Sequence, residues 1–171
     1  MKRLYVVTHG TAEADKSNPS LTNEVEEQMT EIRDIIGKEI FDLIVVGVGK
    51  RHRQTLDFLL LKLEKPEPEI EESEFVGVPE TQSSDKKTMI FPDGKRMPIE
   101  EYAKTIYPKK QKELSLFIKN ILKRKGENAL IVGGRIVPHT LGEEPTSGAL
   151  YIFDKKLNLI NIHLGVIKKW R

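Results

Sequence analysis

The sequence contains no cysteine, which excludes disulfides, cysteine nucleophiles and thiolate metal sites. It has almost no charge excess: 28 basic residues face 26 acidic ones, for a net charge of +2. A balance this even gives little bulk attraction to nucleic acid or to an anionic membrane. No apolar run approaches the length of a membrane span. The stretch MKRLYVV is basic and then apolar, but its apolar part is too short for a signal peptide and ends in a polar loop. A soluble cytoplasmic protein with no membrane or nucleic-acid partner is therefore expected. The full glycine-rich fingerprint of a dinucleotide turn is missing, so Gly133-Gly134 alone is poor support for nucleotide binding. No group of residues has metal-ligand spacing, and neither a metal nor a cofactor is expected.

What is present begins with length. The 171 residues fit one domain with a sizeable core. Charged residues reach 32%, above the usual quarter or so, and Lys and Glu dominate them. Together with only four Gln, this resembles the composition of a heat-adapted protein, in which ion-pair networks gain value at high temperature. An ordinary melting midpoint of about 50 °C would count against that expectation.

Leu4 to Val7 is a short apolar run suited to a strand buried on both faces. It stops abruptly in Thr8-His9-Gly10, and a loop rich in Gly, Ser, Asn and Pro follows. A helix is expected from Asn23, with Asn23 as cap, Glu26 completing a capping box, and Val25, Met29, Ile32, Ile35 and Ile36 at helical spacing. FDLIVVGVG is a second buried strand, and Arg51 to Leu63 a second helix carrying Leu56, Leu59, Leu60 and Leu63 on one face. The acidic, proline-bearing EKPEPEIEESE opens an inserted or connecting region. Pro92-Asp93-Gly94 is a turn, and Pro98 suits the first turn of a short helix. Leu114, Phe117, Ile118, Ile121 and Leu122 form a further stripe closed by Gly126. NALIVGG is a third buried strand, and Gly148 to Leu164 a hairpin turning near Asp154. This order predicts an α/β fold, a three-layer sandwich around a mostly parallel sheet. Ligands in such sheets bind beyond the carboxyl ends of the strands. Three strand tips then matter: Thr8-His9-Gly10, Gly47 to Arg53, and Gly133-Gly134-Arg135.

The residues at those tips resemble a known family. LYVVTHG resembles the opening strand and Arg-His-Gly signature of the histidine phosphatase superfamily, whose fold is phosphoglycerate mutase-like. NPSLTNEVEEQMTEI is similar to the stretch that follows it there. VVGVGKRHRQTLDFL is similar to the second signature, in which an Arg precedes a Gln-Thr pair by three residues, here Arg51, Gln54 and Thr55. NALIVGGRI looks like the later strand that ends in a second histidine. The resemblance covers roughly the first sixty residues and Asn128 to His163, leaving a divergent middle region at about 64–107 within a single domain spanning 1–171.

The resemblance implies a specific chemistry. A histidine attacks a phosphoryl group and carries it as phosphohistidine. Two arginines and a second histidine hold the oxygens, and a carboxylate from the middle region protonates the leaving group. His9 matches the nucleophile and Arg51 one arginine. Thr8 stands where the other arginine should be, and Gly134 where the second histidine should be. Glu74 and Glu80 are the candidate acids. Phosphoryl transfer relies on positioning and electrostatic stabilisation. Losing one preorganised donor costs about 10²–10³ in rate, so two losses of that size leave little of a typical ~10 s⁻¹. Lys50, His52, Arg53, Arg135 and His139 are near enough in sequence to supply missing donors. Blander roles stand beside these. His9 can cap a strand exit, and the Lys50–Arg53 run can be a solvated helix start. KKQKE and KRK can be exposed helix faces, His139 a surface residue, and His163 the polar face of a strand. The expectation is a weak or repurposed phosphohydrolase or phosphotransferase, or a non-catalytic module holding a phosphorylated metabolite or protein. A structural or regulatory subunit without a ligand is the third alternative.

Overall fold

The three apolar runs offered as buried strands lie side by side in the computed structural model, which describes residues 1–60 and 67–166. In chain order the elements are β1 (Arg3–Thr8), α1 (Val25–Ile36), β2 (Leu43–Val46), α2 (Lys50–Leu60), β3 (Glu69–Glu72), β4 (Thr81–Gln82), β5 (Thr88–Ile90) and β6 (Arg96–Pro98). After these come α3 (Ile99–Thr105), α4 (Tyr107–Lys123), β7 (Asn128–Gly133), α5 (Ile136–Thr140), β8 (Ala149–Asp154) and β9 (Leu159–Leu164). The main sheet runs β3-β2-β7-β1-β8-β9. β3, β2, β7 and β1 are parallel, and β8 and β9 add antiparallel pairs at one edge.

The continuous apolar runs have a simple cause, because successive side chains point to opposite faces and both faces are covered. Leu4, Val6, Leu43, Val45, Ala129 and Ile131 pack with Leu114, Ile118 and Ile121 of α4 and Val137 of α5. Tyr5, Val7, Ile44, Val46, Leu130 and Val132 pack with Met29, Ile32 and Ile36 of α1 and Leu56 and Leu59 of α2. Each such side chain contributes about 1.5–3 kcal/mol through burial. The result is the expected three-layer α/β sandwich. Leu63, expected on the α2 face, lies outside the described residues.

The capping box expected at Asn23 is not formed. Glu24 is the cap, already helical at φ −76° and ψ −11°, with no side-chain bond to the helix. The approach is tied earlier, where the Thr22 N–H and hydroxyl both donate to the Thr11 carbonyl. That leaves no extended residue whose side chain can turn back onto the first turn.

The divergent middle builds a small second sheet, β4-β5-β6, which the sequence reading did not anticipate. Pro92-Asp93-Gly94 does make its turn, between β5 and β6, with Gly94 at φ +82°. EKPEPEIEESE supplies the acidic edge strand β3, whose Glu71 holds Arg124 at 2.6 Å. Among the described residues no helix is long and apolar enough to cross a membrane.

Candidate active site

His9 is the first residue past β1. Its N–H donates to Gly133 O at 3.0 Å and its carbonyl accepts from Gly148 N at 2.9 Å, so the backbone is pinned between β7 and β8. The ring is fixed as well. Nδ1 lies 2.7 Å from Gly10 O, and a carbonyl only accepts, so Nδ1 carries the proton. Nε2 keeps its lone pair and accepts from Arg51 Nε at 3.1 Å. The tautomer is assigned from these two partners, which agree. Burial pushes the imidazole down to about 3, with the Arg51 and Arg135 cations adding to the effect and the Gly10 bond opposing it. His9 is therefore neutral at neutral pH, with Nε2 unprotonated.

Arg51 and His52 open α2 beyond the tip of β2. The solvated helix start expected for Lys50–Arg53 is wrong for both: Arg51 is 5% exposed and His52 fully buried. Lys50 alone is exposed, while Arg53 pairs with Glu72. The reason is helical phase. Positions 51, 52, 55, 56 and 59 share the buried face of α2, so the apolar stripe ending at Leu56 and Leu59 passes through Arg51 and His52 one turn earlier. Thr55 sits beneath them, donating to Arg51 O at 2.7 Å and accepting from Gly10 N at 3.4 Å. Arg51 donates Nη2 to Val78 O at 3.0 Å and Glu80 O at 2.8 Å, and Nη1 to Pro79 O at 3.4 Å. Burial draws Arg51 down to about 10, opposed by Glu80 and aided by Arg135, and it stays a cation at neutral pH.

Three residues offered for the phosphate site, Thr8, Gly134 and His139, are engaged elsewhere in the structure. Thr8 is fully buried; its hydroxyl donates to Thr146 O at 2.6 Å and accepts from Ala149 N at 2.9 Å, so it locks β1 to the start of β8 rather than facing a ligand. Gly134 lines the cavity, but its N–H donates to Val76 O at 2.9 Å. His139 is exposed beside α5, with Nδ1 2.7 Å from the Tyr107 hydroxyl, and does not line the cavity.

The others converge. A cavity of about 560 Å³ is lined by His9, Arg51 and His52, by Glu74 and Glu80 from the segment after β3, and by Arg135 past β7. Arg135 reaches Gln82 Oε1 at 3.4 Å. The Glu80 carboxylate accepts from Lys110 Nζ at 2.9 Å. KKQKE is thus not wholly an exposed face, since Lys110 turns into the cavity from α4. Met89, Ile99, Tyr102 and Tyr107 form an apolar wall that the sequence reading missed. They arrive from β5, α3 and α4, and no local pattern marks a wall built from three elements. Burial, with Glu80 and Tyr107 close by, pushes Tyr102 up to about 12, so its hydroxyl stays protonated. Among the described residues no group of three or more His, Asp or Glu is placed to hold a metal.

Known structures share this fold over nearly the full chain. The protein histidine phosphatase SixA complexed with tungstate is similar at 15% identity and TM-score 0.58, covering 95% of each chain. Bacillus stearothermophilus YhfR is similar at 13% identity and TM-score 0.65, covering 96% of this chain and 95% of that one. A mycobacterial glucosyl-3-phosphoglycerate phosphatase is similar at 10% identity and TM-score 0.59, covering 96% and 97%. No family model and no curated protein sequence matches the chain. With three parallel strand tips delivering His9, Arg51 and Arg135 to one cavity, and these likenesses end to end, the chain has the phosphoglycerate mutase-like fold of the histidine phosphatases.

Proposed function

We propose that this chain is a phosphohydrolase or phosphotransferase acting on a phosphorylated small molecule through a phosphohistidine at His9. One observation carries the proposal: a neutral imidazole whose unprotonated Nε2 borders a cavity, 3.1 Å from the Arg51 Nε that donates to it. An unprotonated nitrogen is what attack on a phosphoryl group requires, and an incoming phosphoryl oxygen would draw the Arg51 N–H off Nε2 to free its lone pair. In the first step an Nε2–P bond forms as the P–O bond to the leaving group breaks. The leaving oxygen takes a proton from the carboxyl group of Glu74 or Glu80. Water then attacks phosphorus, the N–P electron pair returns to Nε2, and the water's proton goes to the same carboxylate. An alcohol in place of water makes the reaction a transfer. Arg135 holds the phosphoryl oxygens, joined by Arg51 when its Nε is drawn off His9, while Tyr102, Met89 and Ile99 pack the remainder of the substrate. A pocket of this volume and apolar wall favours a small molecule over a phosphoprotein.

A second reading has its own observation. Arg51 already directs Nη1 and Nη2 at the carbonyls of residues 78–80, and Thr8 adds no charge, so the site holds fewer free donors than transfer uses. That favours a non-catalytic module retaining a phosphorylated metabolite. Hydrolysis of an aryl phosphate by the wild type and by His9→Ala separates the two. Turnover that vanishes in His9→Ala supports the enzyme. Absent turnover, with phosphate-dependent thermal stabilisation that is lost in Arg51→Ala, supports the binder. Neither response refutes both.

A further inference from the structure

His52 is a buried imidazole in a slot made of glycine. It is buried, and neither ring nitrogen has a hydrogen-bond partner among the described residues. A neutral imidazole carries one N–H and one lone pair, and leaving both unmade in a protein interior is costly and uncommon. A space-filling role would be met better by an apolar side chain. The slot is nevertheless built for the ring. A Cβ at Gly47, Gly49 or Gly77 would come within 2.7–2.8 Å of ring atoms of His52. The ring lines the cavity and meets the His9 ring edge-on, with centroids 5.2 Å apart.

Position 134 supplies the other half of the argument. A Cβ built on Gly134 would find one atom within 4 Å, His52 Nε2 at 3.8 Å. A side chain from the tip of β7 would therefore start in contact with the imidazole from α2, and both positions border the same side of the cavity. Resting on the function proposed above, we infer that His52 is a second ligand for the phosphoryl group, delivered from α2 to the side of the cavity that position 134 also borders. The chemistry fits the neighbours. Arg51 directs Nε at His9 and both Nη atoms at backbone carbonyls, so three phosphoryl oxygens need a further donor. His52 gives one without placing a second positive charge against Arg51. Burial, His9 and Arg51 all hold it in the neutral, single-donor form.

The test uses inorganic phosphate and the full chain. In the ¹⁵N-labelled wild type, phosphate should shift the imidazole nitrogens of both His9 and His52. His52→Leu should weaken phosphate binding at least about 10-fold and lower aryl phosphate turnover about 10²-fold. His52→Asn, which keeps an N–H donor, should recover part of the loss. The exchanged pair His52→Ala with Gly134→His should outperform His52→Ala alone, because the returning imidazole enters the emptied volume. A His52→Leu variant that melts like the wild type and binds phosphate equally well would overturn the inference, as would phosphate shifting His9 while His52 stays unmoved. If phosphate moves neither ring and the wild type shows no turnover, the functional proposal fails, and this inference with it.

Discussion

Acid should destabilise this protein well above the range where carboxylates titrate, and the site is the reason. Burial holds His9 near 3 and His52 well below the ordinary histidine value of 6.5. The unfolded chain therefore binds protons at these two positions that the folded chain refuses. Their contribution is complete above about pH 6.5 and is lost as pH falls towards the folded values. Between pH 7 and pH 5 each histidine that stays neutral when folded costs about 2 kcal/mol. His9 is half-buried and partly screened, so its share is smaller, and about 3 kcal/mol for the pair is a reasonable sum. For a chain of this size that is a fall in Tm of about 6–12 °C. The carboxylates held low by their partners, among them Asp15, Glu71, Asp93 and Asp154, lose their contribution only as pH drops below about 4 to 5. Thermal melts at constant ionic strength from pH 7 to pH 5 therefore isolate the imidazoles. The double variant His9→Asn, His52→Asn should be nearly flat over that window. A wild-type Tm that does not move, or an equal fall in the double variant, would refute the reasoning.

Other expectations follow from single contacts. Gly133→Ala should cost about 3 kcal/mol or more in urea unfolding, because its Cβ would sit 2.2 Å from the backbone oxygen of Val76; a loss below about 1 kcal/mol would show that the 73–77 segment yields freely. Thr8→Val keeps the shape but removes the hydroxyl bonded to Thr146 and Ala149, so it should lose about 1–3 kcal/mol of stability and leave the phosphate Kd unchanged. Weakened phosphate binding would return Thr8 to the site. Of Glu74→Gln and Glu80→Gln, the one that removes the proton donor should slow alkyl phosphates far more than aryl phosphates, whose leaving groups need no proton. Equal slowing of both substrates by each variant would leave neither carboxyl as the acid.

The sheet was legible because its physics is local. Leu4–Val7, Leu43–Val46 and Ala129–Val132 are unbroken apolar runs, and a strand covered on both faces needs no other mark. His9 was legible for a related reason, since a polar residue directly after such a run has to sit at a strand tip. The middle region was not legible. β4 is two residues long and β5 and β6 three each, too short for alternation to declare itself. The apolar cavity wall joins Met89, Ile99, Tyr102 and Tyr107 across elements that meet only after folding. Thr8 misled because position in a motif says which residue stands there, and not which way the side chain turns. Its hydroxyl found partners in residues 146 and 149, almost a full chain length away.

The same distinction governs the two histidines. Read along the chain, Gly134 is a loss, and Lys50-Arg51-His52-Arg53 is a short basic run with a bland explanation. Read in space, positions 52 and 134 border one small volume, separated by 82 residues of sequence but by 3.8 Å from Nε2 to the missing Cβ. A site that needs an imidazole in that volume constrains the space and not the position that fills it. Helical phase already favoured burial at 52, because Leu56 follows it by one turn and is fully buried. What the sequence could not disclose is that Gly47, Gly49 and Gly77, from two separate loops, clear the room for the ring. Counting motif residues therefore overstates how depleted this site is. It lacks the arginine beside His9, whose place is taken by a threonine used for structure. It does not lack a second imidazole beside His9, since the His52 ring lies 5.2 Å away.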